Sequence, residues 1–254
     1  MTTTKDMIAR QQPLASGFGY RTTAAEVLAG HDLAGRTAIV TGGYSGLGLE
    51  TVRALASAGV AVTVPARRPD AAAAALADLP GVSVLPMDLG DLDSVAAFTA
   101  GWCAAGTSID LMINAAGVMA SPFALTPQGW ESQFGTNHLG HFALVAGVAH
   151  LLADGGRVVA YSSTAHYRSP VRFDDINFAH TPYDPWIAYG QSKTADALFA
   201  VGLDARATAY GVHAFSVHPG GIITDLQRHM PREELLKRQW IDAEGNPNPL
   251  FKTA

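Results

Sequence analysis

Thr37-Ala38-Ile39-Val40-Thr41-Gly42-Gly43-Tyr44-Ser45-Gly46-Leu47-Gly48 decides how this chain is built. The first five residues form a short apolar run, the composition of a parallel strand buried on both faces. The run stops at glycines. Over 47–58 the apolar positions then recur at helical spacing, with Gly59 placed to end the helix. This order of strand, loop and helix has a mechanical reason. Glycines let backbone amides approach a phosphate, and the first turn of the next helix adds partial positive charge. Gly42, Tyr44, Ser45, Gly46, Leu47 and Gly48 are the loop residues that would line such a group. A glycine triplet alone also serves as a tight strand-to-helix turn. The strand before it and the helix after it favour dinucleotide binding.

The alternation continues along the chain. Strands are predicted at 60–64, 82–87, 109–114, 157–161 and 212–217. Helices are predicted at 71–79, at 91–105 with Asp91 or Asp93 near its cap, at 130–152 as one long element, and at 189–210. Strands separated by helices imply right-handed crossovers and an α/β fold: a single Rossmann-like, doubly wound parallel sheet with helices on both faces. The catalytic domain is expected over 36–224. Residues 1–35 form an N-terminal extension, in which Thr22-Thr23-Ala24-Ala25-Glu26 reads as a capping box opening a short helix. Residues 225–254 read as a helix followed by an irregular tail with Pro247 and Pro249.

Composition narrows the function classes. The 254 residues are 48% hydrophobic and 15% charged, material for one large core. A net charge of −5 with no long basic run argues against nucleic acid and anionic membrane as partners. Cys103 is the single cysteine, so an intrachain disulfide and a cysteine-based metal cluster are both out of reach. The opening MTTTKDMIARQQPL lacks the apolar centre of a signal peptide, and no run is long enough to span a bilayer. A cytoplasmic location is the expectation. His138 and His141 have the spacing of a metal pair but no convergent carboxylate in the sequence, so they read as ordinary helix histidines.

Tyr189 and Lys193 stand four residues apart, on one face of the helix predicted there. A lysine ammonium beside a phenol makes its proton easier to lose. A cofactor loop and a tunable acid/base together suit a nicotinamide-dependent oxidoreductase. The combination of TGGYSGLG at 41–48, Asp88-Leu89, Asn114-Ala115-Ala116-Gly117, Asn137, Ser162-Ser163, Tyr189-x-x-x-Lys193 and Pro219-Gly220 resembles the short-chain dehydrogenase/reductase family over residues 36 to about 228. The stretches QFGTNHLGHF, FDDINF and WIAYGQSKTADALFA are closer still to its retinol-dehydrogenase-like branch.

The resemblance implies roles. Tyr189 would be the general acid/base between a carbonyl and an alcohol, since free tyrosine is too weak an acid near neutral pH without help. Lys193 would favour the phenolate and bind the nicotinamide ribose. Ser163, rather than Ser162, would hold the substrate oxygen, and Asn137 would support a water-linked proton path to Lys193. The cofactor would also meet Asp88, Leu89, Asn114, Ala116, Gly117, Tyr189 and Lys193, with Pro219, Gly220, Ile222 and Thr224 after the last strand. An acidic side chain after strand two would bind the NAD ribose, but this chain has Arg67-Arg68 there. Arg67 suits the 2′-phosphate of NADP, so NADP is preferred and NAD is the other candidate.

Several expectations follow for the substrate and the assembly. Ser163 and Tyr189 are 26 positions apart, longer than is usual in the family, so residues between them form an inserted loop. Met119, His166 and Trp186 are the substrate-pocket candidates, with Phe123 and Tyr167 nearby. The substrate would be a small or medium apolar carbonyl or alcohol, and a homodimer or homotetramer is implied. Ala115 departs from the family's usual asparagine. The chain also reaches Ala254 before the family's last strand, which would leave a sheet edge exposed. The alternative function is a non-catalytic NADP-binding regulator or scaffold of the same fold.

Overall fold

The structure is a computed structural model describing residues 15–254; the opening stretch, with its signal-peptide reading and the first part of the extension, lies outside the described residues. Six parallel strands lie in the order β3-β2-β1-β4-β5-β6. They are β1 Thr37–Thr41, β2 Ala61–Ala66, β3 Val82–Pro86, β4 Ile109–Asn114, β5 Leu152–Tyr161 and β6 His213–Val217. The chain builds outward from β1 to β3, then crosses back and starts again at β4. That reversal opens a crevice beyond the carboxyl ends of β1 and β4, where ligands of such sheets bind. Thr41 and Asn114 pair in register at that point.

The helices are α1 Ala24–Leu28, α2 Gly46–Ser57, α3 Pro69–Leu76, α4 Leu92–Ala105, α5 Ser132–Phe134, α6 Gly140–Val148, α7 Pro185–Ala207 and α8 Arg232–Lys237. Strand side chains alternate between faces, so continuously apolar strands need cover on both. Ala38 and Val40 join Val52 and Leu55 of α2 and Leu76 of α3 on one face. Ile39 joins Phe98 and Trp102 of α4, Leu144 and Val148 of α6 and Ala200 of α7 on the other. This is the doubly wound arrangement that the apolar runs required.

Two helices differ from their sequence reading. Residues 130–152 are not one helix: α5 gives way to a π-helical turn, Gly135–Leu139, then α6 and a 3-10 turn, and β5 already begins at Leu152. The start is set at Glu131, the N-cap of α5, whose carboxylate accepts the amides of Gln133 at 2.9 Å and Phe134 at 2.8 Å. The π turn, GTNHL, adds a residue to the repeat, and the apolar face resumes in α6. α7 begins one turn before Tyr189, because Asp184 accepts the amides of Trp186 and Ile187 and Pro185 fills the first helical position. In the extension, Thr23 and Glu26 form the expected capping box. Among the described residues no helix is long and apolar enough to cross a membrane.

Candidate active site

The loop after β1 is shaped by close backbone approach. Gly42 has φ of 66°, and a Cβ there would stand 2.9 Å from the Ala116 Cα. A Cβ on Gly48 would collide with the Gly42 carbonyl, so α2 packs directly on the loop. Gly46 lies against Thr224, whose Cγ2 would be 3.3 Å from its Cβ, so the loop after β6 closes on the glycine loop. Ser45 precedes α2 without a side-chain cap, leaving first-turn amides for another acceptor. Pro219, Gly220 and Ile222 belong to that closing loop, with φ of 100° at Gly220 and Ile222 buried.

The crevice floor is held by Thr41. Its hydroxyl oxygen accepts the amides of Ala115 at 3.0 Å and Ala116 at 3.1 Å, and it meets His141 Nε2 at 2.8 Å. His141 Nδ1 lies 2.7 Å from the Asn137 carbonyl, which only accepts, so Nδ1 donates and Nε2 accepts from Thr41. Burial holds the His141 pKa down to about 4, which keeps the ring neutral for this role. Asn114, paired with Thr41 across the switch point, is buried, and neither atom of its carboxamide has a hydrogen-bond partner among the described residues. An orphaned amide here, beside a glycine cradle, fits a dinucleotide.

The other cofactor candidates are distributed around this crevice. Arg67 is exposed just past β2 with no ion pair among the described residues. Asp88 accepts the Gly90 amide at 2.9 Å, and the Leu89 side chain is part of the core. Gly117 faces Asn137, and Lys193 Nζ would be 4.0 Å from a Cβ on it. Tyr44 packs its ring partly against the α2-side core.

The proton-transfer candidates converge from three places: α7, the π turn and the segment after β5. Tyr189 is buried on α7, and the Lys193 ammonium lies 5.7 Å from its ring centroid. Lys193 Nζ donates to the Tyr161 carbonyl at 2.8 Å and to Asp196 at 2.9 Å. Burial alone would push the Lys193 ammonium down, but Asp196 and Tyr189 together hold it above its ordinary pKa. Asn137 sits on the π turn. Its side chain donates to Ser192 Oγ at 3.0 Å and to Val118 O, and accepts the Val118 amide, pinning the segment after β4. Ser162 and Ser163 separate cleanly: Ser162 Oγ donates to the Lys193 carbonyl at 2.8 Å, whereas Ser163 lines a cavity with Tyr189.

That cavity, about 320 Å³, is walled by Met119, Trp186, Trp240, Tyr167, Arg168 and Arg238. Met119 is buried with Tyr189, Ala165 and Met230, and Trp186 packs edge-on to both Tyr189 and Trp240. His166 is not one of its walls, because its Nδ1 is held 2.6 Å from the Ser163 carbonyl. Phe123 lies apart, against Tyr183. His138 and His141 also diverge: His138 Nδ1 faces Asp196 at 3.5 Å, while His141 serves Thr41.

The family description of the short chain dehydrogenases matches residues 36–235. The chain is a short-chain dehydrogenase. A Streptomyces lividans protein called "Probable oxidoreductase" is 48% identical over 232 residues, covering 87% of this chain and 77% of its own. Retinol dehydrogenase 12 of Mus musculus is 37% identical over 203 residues, covering 77% of this chain and 64% of its own. Among solved structures, a short chain dehydrogenase from Burkholderia cenocepacia J2315 in complex with NADP aligns over 85% of this chain and 86% of its own, at 22% identity and a TM-score of 0.67. The chain is therefore an NAD(P)-dependent oxidoreductase acting on CH–OH or C=O groups. In this short-chain dehydrogenase, Thr41, His141 and Asp196 are the site residues that sequence reading missed. Only Asp196, one turn beyond Lys193, left a signal in the spacing.

Proposed function

We propose that this short-chain dehydrogenase interconverts a carbonyl and an alcohol on a small or medium apolar molecule, with NADP preferred over NAD. The observation that carries the reading is one cavity, walled largely by Met119 and aromatic rings, shared by Tyr189 and Ser163, with Lys193 behind the tyrosine ring. Bound NAD(P) supplies or accepts the hydride. Tyr189 gives its phenolic proton to the substrate oxygen in reduction and takes it back in oxidation. Ser163 Oγ already accepts the Ala165 amide at 3.1 Å, which leaves its own hydrogen for the substrate oxygen. Lys193 supplies positive charge beside the phenol, and Asn137 fixes the segment that carries Gly117. The glycine loop, Asn114 and the 219–224 loop hold the cofactor, and Arg67 meets its 2′-phosphate. NADP in the Burkholderia relative supports that choice.

Cofactor absorbance over a panel of apolar ketones, aldehydes and alcohols tests the activity. Tyr189→Phe should keep cofactor binding and lower turnover by about 10³-fold, and unchanged turnover would reject the assignment. Arg67→Ala should weaken NADP about tenfold while leaving NAD nearly unchanged, as expected for one charge-assisted contact. Equal loss for both would remove the phosphate clamp. Phe142 on α6 and Leu198 on α7 are half exposed and support self-association into a dimer or tetramer, a mass that sedimentation would report.

A further inference from the structure

Lys193 has a partner that the proposed proton transfer does not call for. Its ammonium and the Asp196 carboxylate form a buried ion pair at 2.9 Å, with the side chains 6% and 7% exposed. A second N–H goes to the Tyr161 carbonyl at 2.8 Å. An ammonium carries three donors, so two fixed bonds leave the third with one direction. The groups near Nζ that make no bond to it are the Tyr189 ring and Gly117.

We propose that Asp196 is a positioning residue: it fixes the Lys193 ammonium by a buried ion pair, keeps it charged, and leaves its third donor for the site beside Tyr189. This rests on the reading of Tyr189 and Lys193 as the proton-transfer pair. A lone buried ammonium tends to lose its proton, and a carboxylate in contact reverses that tendency. No other carboxylate pairs with Lys193 among the described residues. The neighbouring titratable groups leave the pair intact. Tyr189, on the same helix, adds to the hold on the ammonium. His138, from the π turn, approaches the other carboxylate oxygen, Oδ1, at 3.5 Å and does not compete for Oδ2. His141, from α6, is neutral above pH of about 4.

Asp196→Asn keeps an acceptor oxygen and removes the charge. Burial then acts on Lys193 with Tyr189 alone still raising its pKa. Alcohol oxidation should acquire an alkaline limb in kcat/KM at least about one pH unit below that of the wild type, a roughly tenfold weaker hold on the proton. Asp196→Glu should restore the limb, and His138→Gln should leave it in place. Parallel pH profiles for Asp196→Asn and the wild type would mean a merely structural carboxylate and would overturn the proposal. A second readout needs no turnover: ¹⁵N NMR of the Lys193 Nζ in the full chain. The wild-type ammonium should stay protonated beyond the ordinary lysine range, and earlier titration would sink the idea even if the Asn variant does not fold. If Lys193 behaves as expected while Tyr189→Phe still turns over, the ion pair stands and the proton-transfer reading beneath it falls.

Discussion

Asp196 rests against a cation, whereas Glu131 has none. Both carboxylates are buried, Glu131 completely. Asp196 meets Lys193 directly and His138 at longer range. Among the described residues Glu131 accepts only neutral donors: the amides of Gln133 and Phe134, the Tyr183 hydroxyl at 3.2 Å and the Ser132 hydroxyl at 3.5 Å. Burial raises the Glu131 pKa despite those bonds. The difference separates two uses of a buried acid. Paired with a cation, it preserves a charge next to the site. Paired with neutral groups, it ties down architecture, here the start of α5 and, through the Tyr183 hydroxyl, the inserted loop. The same contrast holds for bases. Lys193 beside Asp196 has its pKa raised; His141, surrounded mainly by neutral bonds, has its pKa lowered.

The largest expected effect is on stability. Glu131→Ala leaves the two buried amides of Gln133 and Phe134 short of a partner, leaves the Tyr183 hydroxyl to the Ser121 carbonyl alone, and opens a void, which should cost about 4 kcal/mol. Chemical denaturation would measure it. The alkaline limb of the surviving enzyme should stay where the wild type has it. A shifted limb would erase the distinction between the two carboxylates.

His141 gives the next effect. Its folded-state pKa lies below its unfolded value, so its contribution is full above about pH 6.5 and is lost as pH falls toward about 4. A shift from 6.5 to about 4 corresponds to roughly 3 kcal/mol. Stability of the wild type should fall by about that much more than stability of His141→Gln across this window. Equal slopes would show that the ring is not held neutral.

How far these features are legible in the sequence depends on how local they are. The glycine loop, the apolar strands and the one-turn spacing of Tyr189 and Lys193 are short-range patterns, and backbone geometry turns them into structure directly. The break within 130–152 is not legible from periodicity, because helical residues lie on both sides of the π turn, and Asn137 on that turn bonds Val118 and Ser192, both distant in the sequence. The Thr41–His141 bond joins residues 100 positions apart, and nothing in either neighbourhood announces it. Adjacent serines look alike in sequence, yet Ser162 turns to the Lys193 carbonyl and Ser163 to the cavity. Asp196 has a helical spacing to Lys193 that a solvated surface pair would share. Only burial distinguishes them, and burial is a property of the assembled fold.

Glu131→Gln sharpens the comparison with the smallest change. The amide keeps the shape and one acceptor oxygen for the α5 amides but forfeits the other. Against that loss stands a gain. Glu131 has a raised folded-state pKa, so its contribution is full below its unfolded value and is lost as pH rises through the folded one. A group that does not ionise escapes that loss. The two effects oppose each other, so the variant should lie within about 1 kcal/mol of the wild type at neutral pH, and its stability should decline less on the alkaline side. Asp196→Asn is the same chemical change, carboxylate to amide, made at a site where the charge has a partner. If both substitutions leave activity against pH unchanged, the ion pair has no role in the chemistry. A shift confined to Asp196→Asn places the difference in the cation.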